Sequence, residues 1–246
     1  MVVVPDLDTA VASYRGLGFT VVPGGRHPTG THNALIAFTD GAYLELIAFY
    51  EPNAQHRWYQ RLQQGGGFID YCLQTDDLAG DVRQFRAAGV PVADPRPLTR
   101  VRPDGSKLSW VLSIPEAHGG VAPFLIEDET PRDQRVPRDS THANGVRGIQ
   151  AATIAASDVA RVRRWYERAA GTKISAVERE DLAASGARVS IGPHVLEFVA
   201  PRGPDSPLTS WLAAHGPSPY AMTLATDAVK GLLPLDETMG VRLSLG

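Results

Sequence analysis

The run Tyr43-Leu-Glu-Leu-Ile-Ala-Phe49 places one carboxylate, Glu45, in the middle of a segment that otherwise reads as a buried strand. An ionised Glu in apolar surroundings is costly unless it is paired, hydrogen-bonded or bound to a metal. Glu45 is therefore a candidate for chemistry rather than a surface charge. A second carboxylate, Glu197, sits in the similar run HVLEFVAP, and Glu127 closes the apolar run of VAPFLIEDE.

Other residue types could serve such a site. A hairpin turning at Asp40-Gly41 would pair 36 with 45 and 32 with 49, which puts His32 on the face of Glu45 but on the order of 13 Å along the strand. That is too far to share one ion. His32 is then a rim residue able to touch substrate, or a hydrogen-bonded loop end. His27 lies in the loop GGRHPTG, either solvated or part of a lid. In His56-Arg57-Trp58 a cation stands beside an aromatic plane. Arg57 and Trp58 could close over an anionic or carbonyl substrate, or Trp58 could pack under the sheet edge with Arg57 exposed. The run from Glu127 to Asp133 offers an oxygen ligand, a base and an Arg clamp in Arg132, or a strand leaving the core for solvent. His118, His142 and His215 have no partner at metal-ligand spacing, and His194, three before Glu197, points to the opposite strand face. No GxSxG, phosphate loop or paired nucleophile and His is present.

The elements that must position these residues follow a faint repeat of an apolar run, an Asp and an amphipathic helix. The anchors are Asp6, Asp77, Asp158 and, weakly, Asp227, followed eight residues later by Tyr14, Phe85, Tyr166 and Leu235. Each Asp stands where a strand hands over to a helix, so its carboxylate can cap the first turn. The later aromatic or Leu shares the apolar helix face and belongs to the core. Gly18 and Gly89 suit the left-handed residue that ends a helix. After the first helix come three strand-like runs, FTVVPG, NALIAFT and AYLELIAF. Glu45 and Glu197 stand at the same offset from Asp6 and Asp158, and Glu127 is the nearest counterpart in the second copy, uncertain in register by a residue or two.

A strand-helix-three-strand unit repeated in pairs, with a Glu in the last strand, resembles the vicinal oxygen chelate superfamily. The runs GGRHPTGTHNALIAFTDGAYLELIAF (24–49) and PFLIEDETPRD (123–133) resemble, within it, the glyoxalase-like domain group. The resemblance implies an α+β fold of tandem βαβββ modules forming cupped mixed sheets, as in glyoxalase I, extradiol dioxygenases and the fosfomycin and bleomycin resistance proteins. Residues 1–140 would form one glyoxalase-like domain of two modules, and 146–246 a second with one module and an incomplete one.

In that superfamily paired modules hold a divalent metal (Mn, Fe, Ni or Zn here) that binds two vicinal substrate oxygens, each module giving a first-strand ligand and a last-strand Glu. By resemblance, Glu45 and Glu127 take the last-strand places. The first-strand places, seven residues before each anchor Asp, fall before Met1 and at Asp70, Ala151 and Tyr220. Asp70 becomes a third oxygen ligand, while Ala151 cannot ligate. A His in the reading frame upstream of Met1 would favour a metal enzyme.

The function implied is a metal-dependent lyase/isomerase or dioxygenase-like enzyme for a small oxygenated metabolite, with Glu45 or Glu127 moving a proton beside a carbonyl. The alternative is a metal-free small-molecule binding or sequestering protein of the resistance type. A third reading makes Glu45 a protonated or Arg-paired residue that holds two modules together.

The composition fits such a protein. The 246 residues are 43% hydrophobic and 21% charged, enough for one large domain or two small ones. A net charge of −3 with interspersed signs offers no basic face for nucleic acid. No apolar run reaches the roughly 20 residues that span a bilayer, and the expectation is a cytoplasmic protein. Cys72 stands alone and reads as a packed strand thiol. A homodimer would cover the sheet edges that missing strands leave.

Overall fold

A computed structural model describes residues 1–246 except 91, 116–120, 170 and 229. His118 lies outside the described residues. The first half of the chain contains β1 (Val2–Val3), α1 (Leu7–Gly16), β2 (Val22–Arg26), β3 (Thr31–Ala37), β4 (Tyr43–Phe49), α2 (Tyr59–Gln63), β5 (Gly67–Phe68) and β6 (Cys72–Gln74). It continues through α3 (Leu78–Ala87), β7 (Arg96–Val101), β8 (Lys107–Ser113), β9 (Phe124–Asp128) and α4 (Arg132–Arg135). The second half has β10 (Val146–Ala155), α5 (Val159–Ala169), β11 (Ile174–Arg179), β12 (Ala184–Ile191) and β13 (His194–Pro201). It ends with α6 (Pro207–His215), β14 (Ser218–Thr226), β15 (Gly231–Leu232) and β16 (Arg242–Leu245). Among the described residues no helix is long and apolar enough to cross a membrane.

Local chemistry starts the helices. Asp6, Asp77 and Asp158 accept from the backbone N–H groups of Thr9, Gly80 and Arg161 at 2.7, 2.8 and 2.8 Å, which satisfies donors that the first turn leaves free. Tyr14, Phe85 and Tyr166 are buried. The fourth anchor behaves differently. No helix follows Asp227 among the described residues, Asp227 pairs with Arg147, and Leu235 is 42% exposed. Gly231 and Pro234 interrupt the expected helix.

Among the described residues nine strands form one curled mixed sheet in the order β5-β1-β4-β3-β2-β7-β8-β9-β6, and seven form another in the order β11-β12-β13-β10-β14-β16-β15. The fold is α+β. The same parallel pairing recurs in three places, with Val2 opposite Leu46, Leu73 opposite Leu125 and Ile154 opposite Phe198. This ladder corrects one expectation. The residue placed like Glu45 and Glu197 in the second run of strands is Phe124, not Glu127.

Helices α1, α3 and α5 lie between the two sheets. One cluster joins Tyr14 and the outer face of β3 and β4 to Val146, Leu224 and Leu243. Another joins Leu78 and Phe85 to Val162, Tyr166 and Phe198, and the hydroxyls of Tyr71 and Tyr166 meet at 3.0 Å. Each sheet therefore turns its hollow face away from the other. The hollow of the seven-stranded sheet is covered by α6, whose Leu208 packs on Ala155, Val177 and Val199. There Glu197 is ion-paired with Arg179 at 2.9 Å and Arg188 at 2.6 Å. The hollow of the nine-stranded sheet is open.

Candidate functional site

Register decides which side chains meet in the open hollow. Phe38 and Ala42 close the β3–β4 hairpin through a three-residue turn, in which Asp40 accepts from the Ala42 N–H and Gly41 takes φ +85°. Leu35 then pairs with Glu45, Asn33 with Ile47 and His32 with Ala48. The extra turn residue shifts the expected pairing by one, which moves His32 to the opposite face. This corrects the placement of His32 on the face of Glu45 as a rim residue of the hollow. Facing the hollow instead are Thr31, Asn33 and Leu35 from β3 and Tyr43, Glu45 and Ile47 from β4. With Arg96, Leu98 and Arg100 of β7, Trp110 of β8 and Phe124 of β9 they enclose a cavity of about 380 Å³.

Glu45 is 8% exposed, and its Oε1 accepts from Asn33 Nδ2 at 2.6 Å. Among the described residues Oε2 has no hydrogen-bond partner. Asn33 is oriented in turn by Arg100, whose Nη1 donates to Asn33 Oδ1 at 3.4 Å. Arg100 is 3% exposed, gives Nη2 to the Arg135 carbonyl at 2.8 Å, and keeps a buried Nε with no partner among the described residues. Between β3 and β7 the strand β2 supplies Gly24, where a Cβ would stand 2.0 Å from Asn33 Oδ1. A bare backbone at that point lets Asn33 lie toward Glu45.

Arg135 forms a second buried cluster. It grips Asp128 through Nε and, at 3.1 Å, through Nη2, while Nη1 donates to the Tyr43 hydroxyl at 2.9 Å. Burial pushes the Tyr43 phenol above its ordinary range, with Arg135 acting against the rise, so Tyr43 stays protonated at neutral pH. At the rim Asp70, fully buried, pairs with Arg57 at 2.7 Å and accepts from Trp58 Nε1 at 3.2 Å. Arg57 stacks on Trp58 and Phe124, with 4.7 and 5.3 Å to the ring centres.

Two histidines line the cavity as neutral groups. Burial pushes His27 down to about 4, and burial together with Arg57 does the same for His56. His27 carries a pH prediction. Its folded pKa lies below the ordinary 6.5, so between those values the unfolded chain binds the extra proton. Stability is full above pH about 6.5 and falls as pH drops toward 4, by up to about 3 kcal/mol from this group. Urea midpoints across that window should show the slope, and His27→Asn should flatten it by about one proton.

Of the residues singled out in the sequence, His27, Glu45, His56, Arg57 and Trp58 line the cavity, with Asp70 holding the last two from behind. Glu127 points the other way, and its Oε2 accepts from the Leu78 N–H at the start of α3. Arg132 donates to the Gly41 carbonyl outside the cavity, and Arg135, one helical turn on, takes the inward place. Asn33, Tyr43, Arg100 and Arg135 were not anticipated. Tyr43 was accessible to strand alternation, standing two residues before Glu45. The other three are brought in by pairings across strands and loops.

Glu45, Asp70 and Glu127 do not converge on one point. Among the described residues no group of three His, Cys, Asp or Glu side chains is placed to hold a metal ion. Asp70 is engaged by Arg57 and Trp58, and Glu127 caps a helix. Among the described residues the lining of the hollow, with one carboxylate oxygen open to the cavity, two neutral imidazoles and several guanidinium groups, brings no three such ligands together around a divalent cation.

A structure of a hypothetical protein from Staphylococcus aureus is similar over 100% of this chain and 97% of its own, at 16% identity and a TM-score of 0.71. Methylmalonyl-CoA epimerase from Mycobacterium tuberculosis matches 42% of this chain and 89% of its own, at 15% identity and a TM-score of 0.38. A Streptomyces coelicolor methylmalonyl-CoA epimerase variant in complex with 2-nitronate-propionyl-CoA matches 41% of this chain and 93% of its own, at 19% identity and a TM-score of 0.37. No curated protein matches the chain. Residues 1–170 match the model of the glyoxalase-like domain. With that match over more than half its length, the chain belongs to the glyoxalase-like domain family.

Proposed function

We propose that the open cup binds a small oxygenated metabolite and that Glu45 moves a proton on it, an activity of the lyase/isomerase kind. The observation that carries this reading is the state of Glu45, with Oε1 fixed by Asn33 and Oε2, at the cavity, without a partner among the described residues. A fixed carboxylate with one open oxygen meets the geometric demand on a general base. The cavity volume of about 380 Å³ suits a small molecule. Arg57, Arg96, Arg100 and Arg135 line it, which favours a ligand with an anionic group. The test is calorimetric titration with small 2-oxo and 2-hydroxy carboxylates, followed by turnover assays on those that bind. Glu45→Gln should bind within about threefold of the parent and lose turnover by roughly a thousandfold. Unchanged turnover in the variant would end the reading.

The engagement of Asp70 and Glu127 elsewhere supports a second reading, a metal-free binding or sequestering protein. Glu45 then serves only as a hydrogen-bond acceptor. On this reading Glu45→Gln weakens binding and the parent protein turns nothing over.

A further inference from the structure

A base that takes a proton from carbon needs a partner that stabilises the charge left on the substrate. In the expected metal enzyme a Lewis acid would do this, but among the described residues the cup brings no three metal ligands together. Another electrophile stands on the same strand. Tyr43 lies two residues before Glu45 and on the same face, on the order of 7 Å along β4, and both line the cavity. The Tyr43 oxygen accepts from Arg135 Nη1 at 2.9 Å, so a cation polarises the phenol. Its own proton has no acceptor among the described residues and is available to a ligand.

We propose that Tyr43, held by Arg135, is the hydrogen-bond donor opposite Glu45, and that the substrate is a small carbonyl compound with a removable proton on the adjacent carbon. This rests on Glu45 acting as the base. The separation along the strand suits such a ligand, whose C–H and carbonyl oxygen would each meet one side chain across about 3 Å. In the step, the C–H bond breaks and its proton passes to Glu45 Oε2. The bonding pair forms a carbon–carbon double bond, and the carbonyl π pair moves onto oxygen to give an enolate, whose charge the Tyr43 O–H meets. Return of the proton from Glu45 completes an isomerisation or exchange that consumes no oxidant or reductant. The burial of Arg135 and its bidentate hold on Asp128 keep the donor fixed before substrate arrives.

The test is deuterium incorporation from D₂O into pyruvate, 2-oxobutyrate and dihydroxyacetone, followed by proton NMR in the presence of EDTA. The expected result is EDTA-insensitive exchange by the parent protein on at least one probe. Tyr43→Phe should slow that exchange by roughly 100-fold at a KM within about threefold. It should also weaken the affinity for oxalate, a planar analogue of the pyruvate enolate, by roughly tenfold. Exchange lost in Glu45→Gln but kept in Tyr43→Phe would overturn the role of Tyr43 and leave that of Glu45. Exchange by the parent that EDTA abolishes and a divalent ion restores would also overturn it, whether or not the variant folds. No exchange on any probe, or exchange indifferent to Glu45→Gln, would overturn both.

Discussion

Arg135→Ala is expected to lower the free energy of unfolding by about 3–5 kcal/mol, the cost of breaking a buried ion pair by removing one partner. The Arg135 and Asp128 side chains are 4% and 8% exposed, so the pair is largely removed from water. The substitution leaves the Asp128 carboxylate buried without its bidentate partner and the Tyr43 oxygen without its donor. Urea denaturation measures the loss. The double variant Arg135→Ala/Asp128→Asn should recover part of it, because the stranded charge goes as well. A loss below about 1 kcal/mol, the size expected of an exposed pair, would show that this cluster does not bear on stability.

The second large effect is expected at Gly25. Strand β2 meets β7 at the pair Arg26 and Val101, where the strands contributed by residues 1–68 join those contributed by 72–128. Gly25 has φ +146°, and a Cβ there would stand 2.1 Å from the Val101 carbonyl oxygen and 3.0 Å from Arg100 Cγ. Backbone cannot yield as a flexible side chain can. Gly25→Ala should therefore part the seam, displace Arg100 and cost on the order of 4 kcal/mol. Gly41→Ala is the control, since Gly41 has φ +85° with nothing within 4 Å of its would-be Cβ. Its expected cost is about 1 kcal/mol. Thermal melts of the two variants, with amide hydrogen exchange over β2 and β7, separate a seam effect from general strain.

How far the site was legible depended on the range of the forces involved. The Asp caps are set by interactions three residues long, and all three strong ones stand where the pattern put them. Glu45 was conspicuous because a carboxylate in an apolar strand is unusual whatever surrounds it. The face of His32 turned on one residue in a hairpin turn, and Asp40 and Gly41 favour a three-residue loop as readily as a two-residue one. The offset that links Glu45 to Glu197 held across the ladder, yet it says nothing of Arg179, Arg188 or α6, which give Glu197 a different fate. No offset reached Glu127, because the stretch between α3 and β9 is longer than its counterpart, and the ladder puts Phe124 three residues earlier in that place. Arg100 and Asn33 lie 67 residues apart, and no local pattern connects them.

The helical layer shared by the two sheets has a consequence for how the chain folds. Tyr14 and Leu78 pack in clusters that also contain Leu224 and Phe198, so neither half of the chain completes its core alone. Loss of one sheet strips the apolar backing from the other, and the two should melt as one cooperative unit. The open hollow faces outward from this seam, so its loops and rim side chains can vary without touching the two clusters that join the sheets.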